Sequence, residues 1–484
     1  MSYILSSLEA TANSVALLFS SRSSQRISGS LLRHGRHYAI KYQQLHVATT
    51  PLFYQGRRYS TTTTPRKISD PLHILFCGSD DFSCASLKAL HDEHVQNPDL
   101  IRSIDVVVRP GKRTGRGYKI VRDPPIRSLA ESLGLRIHER DTFTGWDMPS
   151  KTNLIIAVSF GLFVPPRLLR GAKYGGLNLH PSLLPDLRGP APLQHTLLAA
   201  RKVTGVSLQT LDHAAFDHGV VLSQTPPYDD GHEETALRVP ASVSDLKALV
   251  TPVAARMLLD GLRAGLHVPP LEDRGWKPDA AETASLVHAP KITKADRRLT
   301  SSLLLRAETE TETSSSSSSS PGEEEEEGQP PSSSGTLARR QAAIGPLWFV
   351  SRDRKGRKRR VIVEALEELS AGGGVFSVVT DRPEMLTETP PALSSSSSSS
   401  PSDGIDTPLR KQYLIPFEEE QEGEEARTQK YLVFWDDPSL SRKRGHADDD
   451  DGLCLGNYRV LSLKVEGDRA KPARLALQNF ILDR

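Results

Sequence analysis

Cysteine is scarce in this chain, with three in 484 residues, and none of the three has the spacing of a zinc or redox motif. Three thiols in a long chain fit a reducing compartment. Long apolar runs are also missing, because the stretch at residues 15–19 is far too short to span a bilayer. No P-loop is visible, and the turn at 78–81 lacks a dinucleotide fingerprint. We therefore predict no metal site, no membrane partner and no nicotinamide cofactor.

Acidic residues are almost absent from the first 67 positions, which hold one acid, Glu9, against nine Lys or Arg. Serine, threonine and apolar residues fill much of the remainder, a composition typical of a mitochondrial transit peptide. A disordered basic tail is the alternative. Residues 57–60, Arg-Arg-Tyr-Ser, are a candidate processing region, and the sequence leaves the cleavage position open. We expect residues 1–67 to be a transit peptide and the mature protein to be in the mitochondrial matrix.

The net charge of +2 conceals a basic core, because the acids are concentrated in three runs at 307–338, 418–425 and 448–451. Without these eighteen acids the net charge rises to +20, and without the amino-terminal segment as well it is about +12. Such a core fits a nucleic-acid partner. Serine tracts cannot bury enough apolar surface to offset the entropy of ordering. We expect disordered insertions at 307–338 and near 387–408, 418–427 and 442–452.

Three polar residues, Asn178, His180 and Asp217, have the chemistry that acyl transfer requires. Attack of an amine on a formyl carbonyl puts negative charge on oxygen and a surplus proton on nitrogen. Asn178 and a protonated His180 can stabilise the oxyanion, each donor being worth roughly 10² to 10³ in rate. His180 can also relay the proton, with Asp217 orienting its ring. Taken alone, an Asn-x-His sequence more often marks the satisfied end of a strand.

Hydrophobic patterning predicts an α/β domain with a mostly parallel sheet. Apolar strands are predicted at 72–77, 104–108, 153–159 and 206–211, and helices at 82–91, 126–133, 192–200 and 246–262. The alternation in Asn178-Leu-His180 puts both polar side chains on one face of a strand end. Pro181 would end that strand where active sites of open α/β sheets usually lie.

Several motifs in order resemble the signature of the folate-dependent formyltransferases. They are residues 178–185 (Asn-Leu-His-Pro-Ser-Leu-Leu-Pro), the turn at 188–192 and Asp217-His-Gly219. Residues 74–82 resemble the family's first strand and turn, and residues 157–165 its central strand and following loop. The resemblance runs from about residue 72 to about 300 and continues weakly to the end. His218 stands where the family usually has Thr, which leaves the acid in place.

Within that family, the resemblance is to the members that act on initiator methionyl-tRNA. Residues 109–119 resemble the basic loop that these enzymes insert into the acceptor end of the tRNA, and residues 288–296 the segment that opens their carboxy-terminal domain. The resemblance implies initiator methionyl-tRNA and 10-formyltetrahydrofolate as substrates, and we expect a monomer. The residues it implies are Asn178, His180 and Asp217 for catalysis, Ser182, Leu183, Leu184, Pro185 and the 157–165 loop for the folate, and Lys112, Arg113, Arg116 and Lys119 for the tRNA.

The resemblance also implies a Rossmann-like catalytic domain at 68–285 and a connection at 286–306. Beyond residue 339 short strands are predicted at 347–350, 361–366, 375–380, 431–435 and 458–465, and the family implies an OB-like barrel for 339–484. The hairpin at 352–360 has seven Lys or Arg in nine residues. A solvated hairpin is the alternative to the phosphate contact that we expect there.

Two other functions stay open on the sequence. One is a formyltransferase or hydrolase that acts on a small amine or on formyltetrahydrofolate itself, against which the basic 109–119 loop and the second domain argue. The other is an RNA-binding protein on an inactive formyltransferase scaffold. Such a protein would be expected to have lost Asn178, His180 or Asp217, and all three are present.

Deletion of residues 1–67 tests the transit-peptide prediction. The shortened protein should fail to enter mitochondria, because the basic, acid-poor segment supplies the targeting signal. The purified protein should keep its activity, because this segment has no core-forming pattern. Fractionation of cells that express either form measures import, and normal import of the shortened form would refute the prediction.

Overall fold

A computed structural model describes residues 67–226, 236–305, 336–369, 379–380, 412–418, 430–436, 453–456 and 458–480. The predicted transit peptide up to residue 66 lies outside the described residues. The same is true of most of 307–338 and of the segments predicted as insertions near 387–408 and 442–452. Among the helices that the structure describes, none is long and apolar enough to cross a membrane.

Seven strands form the first sheet. They are β1 (Leu72–Gly78), β2 (Ile101–Val108), β5 (Arg136–Glu139), β6 (Leu154–Val158), β7 (Gly176–His180), β9 (Ser207–Thr210) and β10 (Val221–Gln224). Their order is β10–β9–β7–β6–β1–β2–β5. The pairings from β7 through β6, β1 and β2 to β5 are parallel, whereas β9 and β10 pair antiparallel. The predicted α/β class with a mostly parallel sheet is confirmed.

The central strands are buried on both faces, as parallel strands between helices must be. Along β1, Ile74 and Phe76 pack in the main core, whereas Leu75 and Cys77 pack in a second cluster on the opposite face. Burial raises the pKa of the Cys77 thiol well above its usual range and that of Cys84 to about 11. Both thiols are therefore packing groups rather than nucleophiles.

Helices cover this sheet. They are α1 (Asp81–Gln96), α2 (Pro125–Ser132), α3 (Pro166–Gly171), α4 (Pro192–Leu198) and α5 (Val243–Arg263), whereas the short helix α6 (Ala280–Ala284) has no buried residue. Asp80 caps α1 by accepting a hydrogen bond from the Ser83 amide, and Ser242 caps α5 in the same way. Helices α1 and α5 pack together and are joined by the ion pair between Glu93 and Arg263. The Arg263 guanidinium holds the pKa of the Glu93 carboxyl below its ordinary value.

Two short pairs of strands stand apart from the main sheet. Strands β3 (Lys112–Thr114) and β4 (Ile120–Arg122) form a hairpin, and β8 (Val203–Thr204) pairs with β11 (Leu237–Arg238). The β3–β4 hairpin contains the basic loop predicted to contact tRNA, and its turn is a short 3₁₀ helix over Arg116–Tyr118.

An antiparallel sheet makes up the carboxy-terminal half. Its described strands are β12 (Leu347–Arg352), β13 (Lys358–Glu368), β14 (Val379–Thr380), β15 (Gln412–Phe417), β16 (Lys430–Asp436), β17 (Leu453–Leu455), β18 (Tyr458–Val465) and β19 (Lys471–Pro472), with helices α7 (Thr336–Ile344) and α8 (Ala473–Leu477). Beyond the regular pairings, an isolated antiparallel bridge joins Val350 to Glu418, whose amide donates to the Val350 carbonyl at 3.0 Å. This bridge links the strand at one edge of the sheet to the end of β15.

Two predicted insertions begin or end inside this structure. Glu418 opens the segment predicted as an insertion at 418–427, yet it lies in the bridge to Val350 and forms ion pairs with Arg352 and Lys358. Thr336, near the end of the predicted 307–338 insertion, begins α7. At Glu418 composition indicated a loop, whereas a long-range backbone pairing orders the residue; Thr336 is the first residue of a helix.

Candidate active site

The carboxyl end of β7 supplies two of the three predicted catalytic side chains. Because alternate residues of a strand face the same side, the side chains of Asn178 and His180 meet the linked pair of Gln209 and Asp217 at one cavity, whereas Leu179 packs in the core. The strand ends at His180, with Pro181 directly after it. The prediction that both polar side chains share a face at this strand end is confirmed.

Asp217 is brought to the same cavity by the loop after β9. Its backbone is left-handed, with a φ of 58°, a conformation that Asp tolerates better than most residues. Arg188 Nε donates to the Asp217 carbonyl at 2.8 Å, and the Gly189 amide donates to Asp217 Oδ2 at 3.0 Å. Two residues further on, a Cβ at Gly219 would lie 1.8 Å from the Thr210 carbonyl oxygen. The chain can return to the sheet there only because this position is glycine.

Both ring nitrogens of His180 face oxygen atoms. Nε2 lies 2.9 Å from the Leu187 carbonyl oxygen, and Nδ1 lies 3.4 Å from Asp217 Oδ1. The first distance is that of a normal hydrogen bond, whereas the second is longer than one. The Leu187 carbonyl therefore anchors the ring through Nε2–H. Nδ1 has no hydrogen bond at normal distance and faces Asp217 Oδ1, so it is the nitrogen available to take up a proton, and the resulting imidazolium would be paired with this carboxylate.

Gln209 connects two of these residues, although the sequence alone did not single it out. It lies opposite Asn178 in the antiparallel pairing of β7 and β9. Its Nε2 donates to Asn178 Oδ1 and to Asp217 Oδ1, both at 3.0 Å. Asn178 Nδ2 in turn donates to the Ala157 carbonyl at 2.8 Å. An amide nitrogen carries two hydrogens, so one Asn178 N–H remains for a ligand.

Residues 182–185, which the sequence placed beside the folate, are not among the residues that line this cavity. Ser182 is fully buried, and its hydroxyl donates to the Asp186 carbonyl at 2.7 Å. Leu184 is also buried, and its amide donates to Ser207 Oγ at 3.1 Å. The loop folds inward because its polar groups are satisfied within the protein. Its visible role in the structure is to shape the Leu187 turn beneath His180.

The cavity itself has a volume of about 840 Å³, within the range of small-molecule sites. One wall is residues 159–164, part of the 157–165 loop predicted to border the folate. Phe163 of this wall packs edge-to-face on Phe216 of the Asp217 loop, with ring centroids 5.3 Å apart. The lining of the cavity is mainly apolar, and a few polar side chains, among them Asn178, His180 and Asp217, converge at one end of it.

The connecting segment also reaches the cavity. Leu187 and Ala191 donate backbone hydrogen bonds to Val287 and Ala289, and the Ala289 amide donates to the Arg188 carbonyl at 2.7 Å. His288, in the segment predicted to open the second domain, lines the cavity. A Cβ at Gly189 would lie 2.4 Å from the Ala289 carbonyl oxygen, so the two segments touch as closely as backbones can.

The predicted tRNA-binding loop is an exposed hairpin. Lys112, Arg113 and Lys119 are exposed, and none has an ion pair in the part of the chain that the structure describes. Beside them the large side chains of Tyr118 and Ile120 are 70% and 62% exposed. Arg116 begins the 3₁₀ turn at the tip. Free cations next to exposed apolar and aromatic groups suit single-stranded RNA, which is bound by stacking as well as by charge.

Three of the seven cations in the second predicted basic region form ion pairs with residues that the structure describes. In the hairpin at 352–360, Arg352 and Lys358 pair with Glu418, and Arg357 pairs with Asp353 at 2.9 Å. Arg360 stacks over the Trp348 ring. A neighbouring cleft of about 230 Å³ is lined by Arg357 and Arg359 of this hairpin and adds two cations from outside it, Arg469 and Lys471, with Asp353 and Asp468 as the acids. The phosphate contact expected at this hairpin stays a prediction. Within this region, the cleft is the better candidate for phosphate binding.

Among the described residues, no group of three or more His, Cys, Asp or Glu side chains could hold a metal ion. The other histidines near the site in sequence have local partners. His195 Nε2 lies 3.0 Å from the Pro290 carbonyl, and His218 Nδ1 lies 2.6 Å from the Phe216 carbonyl. His213 is exposed beside Asp212.

Comparison with known proteins matches residues 72–251 to the formyl transferase family model. The mitochondrial methionyl-tRNA formyltransferase of Saccharomyces cerevisiae is 34% identical over 280 residues, which cover 52% of this chain and 69% of that protein. A putative methionyl-tRNA formyltransferase of Schizosaccharomyces pombe is 34% identical, over 41% of this chain and 54% of its own length. The methionyl-tRNA formyltransferase of Chromohalobacter salexigens is 27% identical, over 48% of this chain and 66% of its own length.

Proposed function

The chain belongs to the methionyl-tRNA formyltransferase family, and we propose that it transfers the formyl group of 10-formyltetrahydrofolate to the α-amine of initiator methionyl-tRNA. The observation that supports this best is the meeting of Asn178, His180 and Asp217 at the base of one cavity. An amide donor, an imidazole and a carboxylate are the groups that formyl transfer to an amine requires.

Each side chain has a role in the proposed reaction. Asn178 donates its remaining N–H to the formyl oxygen as negative charge builds on that atom. His180 takes the proton that the attacking amine releases and delivers it to the leaving nitrogen of tetrahydrofolate. A C–N bond to methionine forms and the C–N bond to the folate breaks. The formyl group therefore moves from the folate nitrogen to the α-amine, and one proton moves from the amine to the folate nitrogen. Asp217 stabilises the imidazolium that exists between the two proton transfers.

The folate side of the cavity follows from its walls. A pterin ring is flat and partly apolar, and the loop at 159–164 together with Phe216 offers apolar surface of that kind. Backbone groups of this loop can supply hydrogen bonds to the edge of the ring. We therefore place the folate against this wall, and Ser182, Leu183, Leu184 and Pro185 beneath the site as its support.

The tRNA is proposed to bind through both halves of the chain. The β3–β4 hairpin, with Arg116 at its tip, is the element suited to the open acceptor end. The antiparallel sheet is proposed to close into a small OB-like barrel, an interpretation supported by the bridge between Val350 and Glu418. The cleft of Arg359, Arg469 and Lys471 on that sheet is proposed to hold backbone phosphates.

The place of action is proposed to be the mitochondrial matrix. Two observations support it, the basic, acid-poor segment at 1–67 and the similarity to a yeast protein whose name includes a mitochondrial location. The proposal includes the domain boundaries of the sequence analysis, with catalytic residues at 68–285 and a second domain after 339.

Loss of either catalytic polar group should cripple the chemical step. Asn178→Ala and His180→Ala should each lower kcat by roughly 10² to 10⁴, because both groups act mainly in the transition state. Folate affinity should change little. Formylmethionyl-tRNA formed from 10-formyltetrahydrofolate and charged tRNA is the readout. His213→Ala, an exposed histidine four residues from Asp217, is the matched control and should stay near wild type, whereas near-normal turnover of His180→Ala would refute the assigned role.

The two basic surfaces should respond differently to substitution. Arg116→Ala should sharply reduce kcat/KM for methionyl-tRNA without altering folate affinity, because it acts at the acceptor end. Arg469→Ala and Lys471→Ala should weaken tRNA binding and flatten its dependence on salt by about one unit of log–log slope per lost phosphate contact. Arg102→Ala, an exposed cation on another face, serves as the control. Equal kinetics of Arg116→Ala and wild type would argue for a small-amine substrate.

A further inference from the structure

Gln209 is almost completely buried at the centre of the candidate active site, with 1% of its surface exposed. It lines the cavity beside Asn178, His180 and Asp217, and its strand β9 pairs with β7 so that Gln209 stands directly opposite Asn178. A long polar side chain at such a position loses its contacts with water. Its amide must therefore be accounted for by contacts within the protein.

Both hydrogens of Gln209 Nε2 are used. One is donated to Asn178 Oδ1 and the other to Asp217 Oδ1, each at 3.0 Å. The reverse orientation would place the Gln209 oxygen against a carboxylate and an amide oxygen, which repel it. The carboxylate of Asp217 therefore fixes the direction of the Gln209 amide, and the Gln209 amide together with the Ala157 carbonyl fixes that of Asn178.

The direction of the Asn178 amide decides what it can offer a substrate. With Oδ1 held by Gln209 and one Nδ2 hydrogen donated to Ala157, the second hydrogen remains for the cavity. Without Gln209 only the hydrogen bond to the Ala157 carbonyl would hold the amide in this direction, and the Asn178 oxygen would lose its donor. A turned amide would present its oxygen where a donor is needed, and that oxygen would repel the negative charge of the transition state.

The oxygen of the Gln209 amide lowers the stability of the fold. This atom, Oε1, is buried without a hydrogen-bond partner among the described residues. A buried amide oxygen without a partner destabilises a fold, and an apolar side chain of the same size would avoid this cost. Packing alone does not account for glutamine at this place, whereas its two donated hydrogen bonds do.

We propose that Gln209 is a positioning residue for the formyl transfer. It holds the Asn178 donor toward the reacting carbonyl oxygen and keeps the Asp217 carboxylate beside His180. This inference rests on the proposed function, because it assigns Gln209 a role in the same reaction.

Gln209→Leu removes both donated hydrogen bonds at similar volume, and Gln209→Glu replaces the donor with a further acceptor. In the processed enzyme with both domains, both variants should lower kcat about 10- to 100-fold, the effect expected when a catalytic group is displaced by about 1 Å. KM for the folate and for methionyl-tRNA should stay within about threefold, since the wall at 159–164 and the β3–β4 hairpin are unchanged. Unchanged kcat in a folded Gln209→Leu enzyme would overturn the proposal.

Two controls separate positioning from a structural effect. Gln224→Leu removes another glutamine of the same sheet, whose amide donates to Leu184 and Ser207 and lies outside the cavity lining. It should lower the melting temperature and leave kcat near normal. In an Asn178→Ala background, Gln209→Leu should cost less than a third of its effect in the wild type, because the group it positions is gone. An equal loss in both backgrounds would refute action through Asn178.

The outcome for Gln209 is distinct from the outcome for the proposed function. If the wild-type enzyme transfers no formyl group to methionyl-tRNA, the proposed function fails. If the wild type is active and Gln209→Leu keeps its kcat, the function stands and the positioning role fails.

Discussion

The carboxylate of Asp217 is the group on which the rest of the site depends. One of its oxygens accepts the Gly189 amide, and the other accepts Gln209 and faces His180. A carboxylate beneath an apolar cavity is tolerated only when its oxygens have partners. Those partners come from three separate stretches of chain, so a single charge brings the β7 end, the β9 strand and the 188–189 turn together.

The same arrangement ties the catalytic site to the second half of the chain. The turn that donates to Asp217 is paired along its backbone with residues 287–289, and the connection continues to α7. Arg340 of α7 donates to the Asp296 carbonyl through two nitrogens at 2.6 and 2.9 Å. The segment before the antiparallel sheet is therefore part of the active-site wall. Displacement of the second half would move the Gly189 amide and, with it, the carboxylate.

Local patterns predicted the parts of the fold that depend on local order. The alternation at 178–180, the apolar strand at 72–77 and the glycine after Asp217 are short-range signals, and the structure has all three. Gln209 escaped notice because it meets Asn178 through an antiparallel pairing across 31 residues, and no pattern within β9 reports that register. The Leu187 carbonyl escaped for a similar reason, because any residue can supply a backbone oxygen.

Charge patterns predicted less reliably than strand patterns. The hairpin at 352–360 is strongly cationic in the sequence, but two of its cations, Arg352 and Lys358, form ion pairs with Glu418, which comes from a segment that composition assigned to an acidic insertion. Composition counts charges and does not pair them. By contrast, Lys112, Arg113 and Lys119 have no ion pair in the part of the chain that the structure describes. The cations counted in the sequence of that hairpin are therefore also unpaired cations on its surface.

The most direct test of the proposed function is the choice between methionyl-tRNA and a small amine as formyl acceptor. Purified enzyme lacking residues 1–67 is given 10-formyltetrahydrofolate labelled on its formyl carbon, with equal concentrations of initiator methionyl-tRNA and methionine amide. We expect label to enter methionyl-tRNA with a kcat/KM at least 10³-fold above that for methionine amide, because the cationic hairpin and the second half of the chain bind only the RNA. Equal labelling of both acceptors, or release of label as formate alone, would contradict the proposed function.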